Sequence, residues 1–256
     1  VIRICRICPA PSDDSGKWIN FGIFRTGAED KCFNSLTNIY DMKKALLFGA
    51  TGFVGSYLLD ALLNSPDYDQ VTIVVRKDPG ITHVKLQTLI GNLDTLPSLL
   101  KNLPADDVFI ALGTTKKNTP DPKEYYRIDH DYPVTAARIA KENGATSVLV
   151  VSAVGPDANS GVFYIRTKGE MERDILALDY AHTHLFRPSM IMGSRKEKRP
   201  MEKAFIGLFS VINPLLFNSK YRGIEGKEIA RAMVNAAGNS TEKVKVYHWK
   251  EMQGLL

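Results

Sequence analysis

From residue 42 onward, short aliphatic or β-branched runs alternate with longer stretches of helical spacing. The runs predict strands at 44–48, 71–75, 86–90, 107–111, 147–151, 183–186 and 244–247. Val71-Thr72-Ile73-Val74-Val75 and Val148-Leu149-Val150-Val151 are unbroken apolar runs of the kind that parallel sheets bury on both faces. The longer stretches predict helices at 53–64, 95–101, 122–142, 162–179, 201–212 and 226–237. Pro66, Pro104 and Gly144 fall between elements, where helices stop. Strand–helix alternation of this kind predicts right-handed crossovers and an α/β fold: a Rossmann-type, doubly wound, mostly parallel sheet flanked by helices. We expect a single domain over 42–256, with a short carboxyl-terminal segment on the substrate side.

Residues 1–41 share none of this period. They carry Pro9, Pro11, Gly16, Gly22 and Gly27, and five basic against five acidic residues. They read as a disordered or non-native extension, with Met42 as the natural start. All three cysteines, Cys5, Cys8 and Cys32, lie there, and Cys5 with Cys8 forms a C-x-x-C without a second ligand pair. No metal site is expected. His182 and His184 share one face of a strand, but two ligands are too few for a metal, and exposed strand positions are the better reading.

Charge adds little to the picture. A net charge of +5 favours anionic ligands, and a nucleotide satisfies it without any nucleic acid. The longest nearly uncharged stretch, 204–219, is too short to span a membrane, and no amino-terminal segment has a secretion signal's apolar core. We therefore expect a cytoplasmic protein, monomeric or homodimeric. The basic loop at Arg195–Arg199 reads as solvated.

The chemistry begins at Gly49-Ala-Thr51-Gly52-Phe53-Val54-Gly55, between the first strand and the first helix. Glycines allow a tight turn and a close approach to a diphosphate, and the N–H groups of a helix start favour that anion. Arg76 and Lys77 follow the second strand, with Arg76 21 residues after Gly55. A base here meets the 2′-phosphate of NADP, where an acid would bind the ribose hydroxyl of NAD. Asp78 keeps NAD(H) open. Leu112, Gly113 and Thr114 close the fourth strand, where open α/β sheets bind ligands.

Ser152 ends the fifth strand, and Tyr164 and Lys168 are four apart on one helix face. Tyrosine ionises near pH 10 and is a poor base at neutrality. A neighbouring ammonium favours its phenolate. Tyr164 can then exchange a proton with a substrate oxygen that Ser152 polarises, while hydride moves to or from nicotinamide. A second Y-x-x-x-K, Tyr40 to Lys44, precedes the glycine loop and has Ala28 twelve residues before its tyrosine, where Tyr164 has Ser152.

The glycine loop, Ser152, Tyr164-x-x-x-Lys168 and Arg187-Pro188-Ser189 together resemble the short-chain dehydrogenase/reductase superfamily. Phe163–Glu170 and Phe186–Gly193 are similar to its atypical branch, the Tat-interacting-protein-2-like oxidoreductases. The resemblance covers residues 42–256. It implies NADP(H) at the glycine loop, Tyr164 and Lys168 as the catalytic pair, Lys168 on the nicotinamide ribose, and Pro188 with Ser189 near the nicotinamide amide. The proton-relay asparagine of many relatives has no clear match, since the corresponding helix reads Arg127-Ile128-Asp129-His130-Asp131. The expected function is reduction of a small carbonyl or oxidation of an alcohol. Two other classes stay open: an NADPH-binding regulator with little turnover, and a nucleotide-sugar epimerase or dehydratase.

Overall fold

The computed structural model describes residues 42–193, 221–239 and 241–256. Seven strands pair in the order β3-β2-β1-β4-β5-β6-β9, and every pairing is parallel. They are β1 (Lys43–Phe48), β2 (Tyr68–Val75), β3 (Leu86–Ile90), β4 (Asp107–Ile110), β5 (Ser147–Val151), β6 (His182–Phe186) and β9 (Val244–Tyr247). All seven predicted strands are present, most within one residue at each end. The predicted doubly wound fold is therefore the observed one.

Alternation along each strand divides the core in two. Leu47, Ile73, Phe109, Leu149 and Phe186 pack on one face against helices α1 (Phe53–Asn64) and α6 (Gly226–Gly238). Phe48, Val74, Ile110, Val150 and Leu185 pack on the other. That second face is covered by the short α2 (Leu96–Leu99), by α4 (Tyr132–Glu142) and by α5 (Phe163–Ala177). The predicted helix over 122–142 is three pieces end to end: α3 (Pro122–Tyr126), a π-helical turn (Arg127–Asp131) and α4. A two-stranded parallel ladder, β7 (Ile191–Met192) with β8 (Ile224–Glu225), and a last helix α7 (Trp249–Gln253) were not predicted. Two residues of strand and five of helix are too short for a periodic signal. The expectations for 1–41, the basic loop and the 201–212 helix lie outside the described residues.

The histidine expectation needs correcting. His182 is half-buried, but His184 is only 1% exposed and its Nδ1 lies 2.8 Å from the Tyr247 hydroxyl. The reason is β9, which pairs outside β6 and makes it an interior strand. Burial pushes the His184 imidazole down from 6.5 to about 4. Because the unfolded chain then binds the extra proton, this group's contribution is full above about pH 6.5 and is lost as pH falls through about 4. The loss should approach about 3 kcal/mol at the acid end. Thermal melts of His184→Gln should show a flatter pH dependence between pH 6.5 and 4 than the parent. Parallel curves would show that the imidazole does not set the slope.

Candidate functional site

β1 and β4 are neighbours although β2 and β3 intervene in sequence, so the strand order reverses between them. Such a switch point opens a crevice at the carboxyl ends of the strands. Gly49 turns there at φ +86°, and a Cβ on it would sit 2.5 Å from the Ala111 carbonyl oxygen of the β4 exit. The Gly52 N–H donates to the Gly49 carbonyl (2.8 Å) and closes the turn. A Cβ on Gly55 would lie 1.9 Å from that same oxygen, so α1 rests directly on the loop. Thr51 and Gly52 are exposed, Phe53 is half-buried, and Val54 and Gly55 are buried. Among the described residues no side chain caps the start of α1, and no acid occupies its first turn. These are the features that a diphosphate needs at a helix start. The Phe53 ring also fills the space beside Gly193 and Gly226, where added Cβ atoms would meet it at 2.8 Å.

Arg76 and Lys77 are exposed beyond β2, and neither forms an ion pair among the described residues. Burial raises the Tyr132 pKa, and the nearby Arg76 charge acts against it by favouring the phenolate. Among the described residues Asp78 forms no ion pair with Arg76. Its Oδ1 accepts the N–H of Gly80 (2.8 Å) in a turn where Gly80 has φ +69°.

The β4 exit carries Leu112, Gly113 and Thr114. Leu112 packs on the second core face, and Gly113 is exposed. Thr114 is committed locally: its N–H donates to Asp129 Oδ2 (2.8 Å) and its hydroxyl pairs with that of Thr119 (2.8 Å).

Ser152 directly follows β5, where its N–H donates to the Phe186 carbonyl (2.7 Å). The residue is 6% exposed, and its Oγ has no hydrogen-bond partner among the described residues. An orphaned buried hydroxyl is costly, and it suits an oxygen supplied from outside. Tyr164 and Lys168 lie in the first two turns of α5. Tyr164 is 41% exposed, while Lys168 is 4% exposed. The Lys168 Nζ is 2.8 Å from Asp129 Oδ1. Surrounding protein raises the Tyr164 pKa, the Lys168 charge lowers it, and the Asp129 charge raises it.

Two residues complete the placing of α5, and the sequence reading missed both. Gly169 lets the Asp157–Ala158 backbone press on the helix, where a Cβ would lie 2.2 Å from the Ala158 nitrogen. Glu172, 3% exposed, takes a bidentate pair from Arg187, with Nε 3.1 Å from Oε1. That pair ties α5 to the end of β6. Pro188 is buried just beyond, and the Ser189 hydroxyl is held against the Tyr221 and Arg222 carbonyls at 2.7 and 2.8 Å. The Ser189 hydroxyl is thus turned to backbone, so any contact with a cofactor falls to its other atoms.

Residues 45–205 match the model of the NAD dependent epimerase/dehydratase family. The chain belongs to that family. Among its relatives is the Aspergillus oryzae protein fmp52-1, mitochondrial, 34% identical over 211 residues, covering 78% of this chain and 88% of that one. The Eremothecium gossypii protein FMP52, mitochondrial, is 28% identical over 221 residues, covering 83% of this chain and 96% of that one. A Bordetella bronchiseptica enzyme, WbmH, solved with NAD+, superposes with TM-score 0.62 at 17% identity, covering 81% of this chain and 75% of that one. The UDP-N-acetylglucosamine 4-epimerase of Methanobrevibacter ruminantium gives 0.61 at 21% identity, covering 81% and 77%. The family and the fold are those of an atypical short-chain dehydrogenase/reductase, as the motifs imply.

The relatives correct one expectation. They are named mitochondrial, against the cytoplasmic reading. The cytoplasmic reading rested on the lack of a secretion signal, which says nothing of organelle targeting. Among the described residues no helix is long and apolar enough to cross a membrane, and no three metal-ligating side chains cluster.

Proposed function

We propose that this chain is a mitochondrial, NADP-dependent oxidoreductase that interconverts a small carbonyl and its alcohol. The observation that carries the reading is the buried Ser152 hydroxyl at the end of β5, without a hydrogen-bond partner among the described residues, together with a helix that carries Tyr164 and Lys168 on one face. Gly49, Thr51, Gly52, Phe53, Val54 and Gly55 would hold the diphosphate, with Leu112 to Thr114 along the β4 exit. Pro188 and Ser189 would border the nicotinamide end. The bound nicotinamide would supply or accept hydride. Ser152 would donate a hydrogen bond to the substrate oxygen, and Tyr164 would give or take its proton. Lys168 would fix the charge beside Tyr164 and hold the ribose. The decisive experiment is consumption of NADPH against a panel of aldehydes, ketones and quinones. Dinucleotide binding without turnover on any of them would overturn the reading.

The choice of NADP rests on Arg76, a cation at the end of β2 that forms no ion pair among the described residues. A charged hydrogen bond to a phosphate contributes about 1.5–3 kcal/mol. Arg76→Ala should therefore weaken NADP(H) by roughly tenfold or more and leave NAD(H) nearly unchanged. Calorimetric titration with both dinucleotides checks this, and a parent protein that binds both equally would refute it.

The family's description favours a second reading, an epimerase or dehydratase of a nucleotide sugar. Such an enzyme regenerates its dinucleotide within each cycle. It would convert a UDP-sugar with no net change in NADPH absorbance.

A further inference from the structure

Asp129 is a carboxylate in a place that costs free energy. It is 1% exposed and sits in the π-helical turn between α3 and α4. Turns of this type insert an extra residue into a helix and recur at functional sites. Both carboxylate oxygens are used: Oδ1 meets Lys168 Nζ at 2.8 Å, and Oδ2 accepts the Thr114 N–H at 2.8 Å. One side chain therefore joins the β4 exit to the helix that carries Tyr164. A buried ion pair of this kind contributes little net stability, because desolvating two charges offsets most of their attraction. Its consequence is electrostatic: the Lys168 side chain, 5% exposed, is paired with a carboxylate at 2.8 Å.

We propose that Asp129 is a positioning residue which, by holding and neutralising Lys168, keeps Tyr164 in its proton-donating form and so sets this site to reduce a carbonyl rather than to oxidise an alcohol. The proposal rests on the oxidoreductase reading above. In that direction the carbonyl π bond breaks, and its carbon gains a C–H bond with the two electrons of the hydride that the reduced dinucleotide supplies. Its oxygen takes the Tyr164 proton. The phenolate regains a proton from water.

The charges around Tyr164 agree with this. Burial of the phenol raises its pKa most; among the described charged residues, Lys168 on its own helix favours the phenolate, and Asp129 from the π turn opposes it. Tyr125 on α3 also faces this group: its pKa is raised by burial, and further by Asp129 and Tyr164. Desolvation of the phenol acts in the same direction as Asp129. An ammonium without a counter-charge would be the stronger pull towards phenolate.

The test is ultraviolet titration of tyrosine ionisation in the unliganded full chain. With ten tyrosines present, Tyr164 is isolated as the difference between the parent and Tyr164→Phe. The parent difference should titrate above free tyrosine's value of about 10. The same difference in an Asp129→Asn background should move to lower pH, and the pH profile of turnover should move with it. A parent difference below about 10, or one that Asp129→Asn leaves in place, overturns the proposal. If the amide variant does not fold, Asp129→Ala serves for the second comparison, and the parent comparison stands regardless. A titration shift without turnover on any carbonyl would defeat the oxidoreductase reading and leave the Asp129 coupling intact. Turnover without a titration shift would defeat only the coupling.

Discussion

Tyr164→Phe should lower turnover by about two to four orders of magnitude while leaving dinucleotide affinity nearly unchanged. The substitution removes one oxygen and keeps the ring, so α5 has no reason to move. Tyr164 is 41% exposed and its hydroxyl bonds to no described residue, so no hydrogen bond among the described residues is lost. Nor does the change touch the groups proposed to hold the dinucleotide: the glycine turn, Arg76 and the β4 exit all stay in place. Only the proton donor goes. Single-turnover measurements with saturating NADPH, beside a binding titration, separate the two quantities. Turnover within a few-fold of the parent would show that another group carries the proton, and the Ser152–Tyr164–Lys168 assignment would fall. Loss of binding and turnover together would instead mark Tyr164 as part of the cofactor cradle.

The contrast between Tyr164 and Asp129 shows what the sequence carries. Strands were legible because each is a run of four to eight residues carrying aliphatic or β-branched side chains. The glycine loop was legible because three glycines at fixed spacing join a strand to a helix. Tyr164 and Lys168 were legible because helical spacing alone puts residues four apart on one face. Asp129 was harder, because its partners lie 15 and 39 residues away on other elements. A signal did exist. Tyr125, Asp129, Pro133 and Ala136 recur at three- and four-residue spacing and are all buried, so an acid occupied a position on the apolar face. The π turn itself left no trace, since the stretch 122–142 reads as one continuous helix. Gly169 is a plainer case. A glycine inside a helix signals close approach, but only the fold shows that the approaching chain is Asp157–Ala158.

Gly55→Ala should abolish measurable dinucleotide binding and destabilise the domain, and the reason is one methyl group. Its carbon would sit 1.9 Å from the Gly49 carbonyl oxygen and 2.6 Å from the carbonyl carbon. Both are backbone atoms, so no side chain can swing aside. Either α1 lifts off the loop or the loop opens. Gly49 has little room to yield, since a Cβ on it would itself be 2.5 Å from the Ala111 oxygen, and its N-terminal neighbour Phe48 is locked in β1 between β2 and β4. The movement therefore falls on the Gly49–Gly52 turn, whose 2.8 Å hydrogen bond sets the entry to α1. Overpacking of this kind costs about 1–3 kcal/mol, and a backbone-on-backbone clash belongs at the upper end. For a domain of this size the melting temperature should fall by about 4–10 °C. Binding should suffer more than folding, because the diphosphate depends on the backbone geometry that the methyl displaces. Gly144→Ala separates the two effects. Gly144 has φ +100° but open space around it, so alanine there strains the chain far from the crevice and should lower stability without touching affinity. A Gly55→Ala protein that binds NADPH as the parent does would show that the dinucleotide does not lie on this turn.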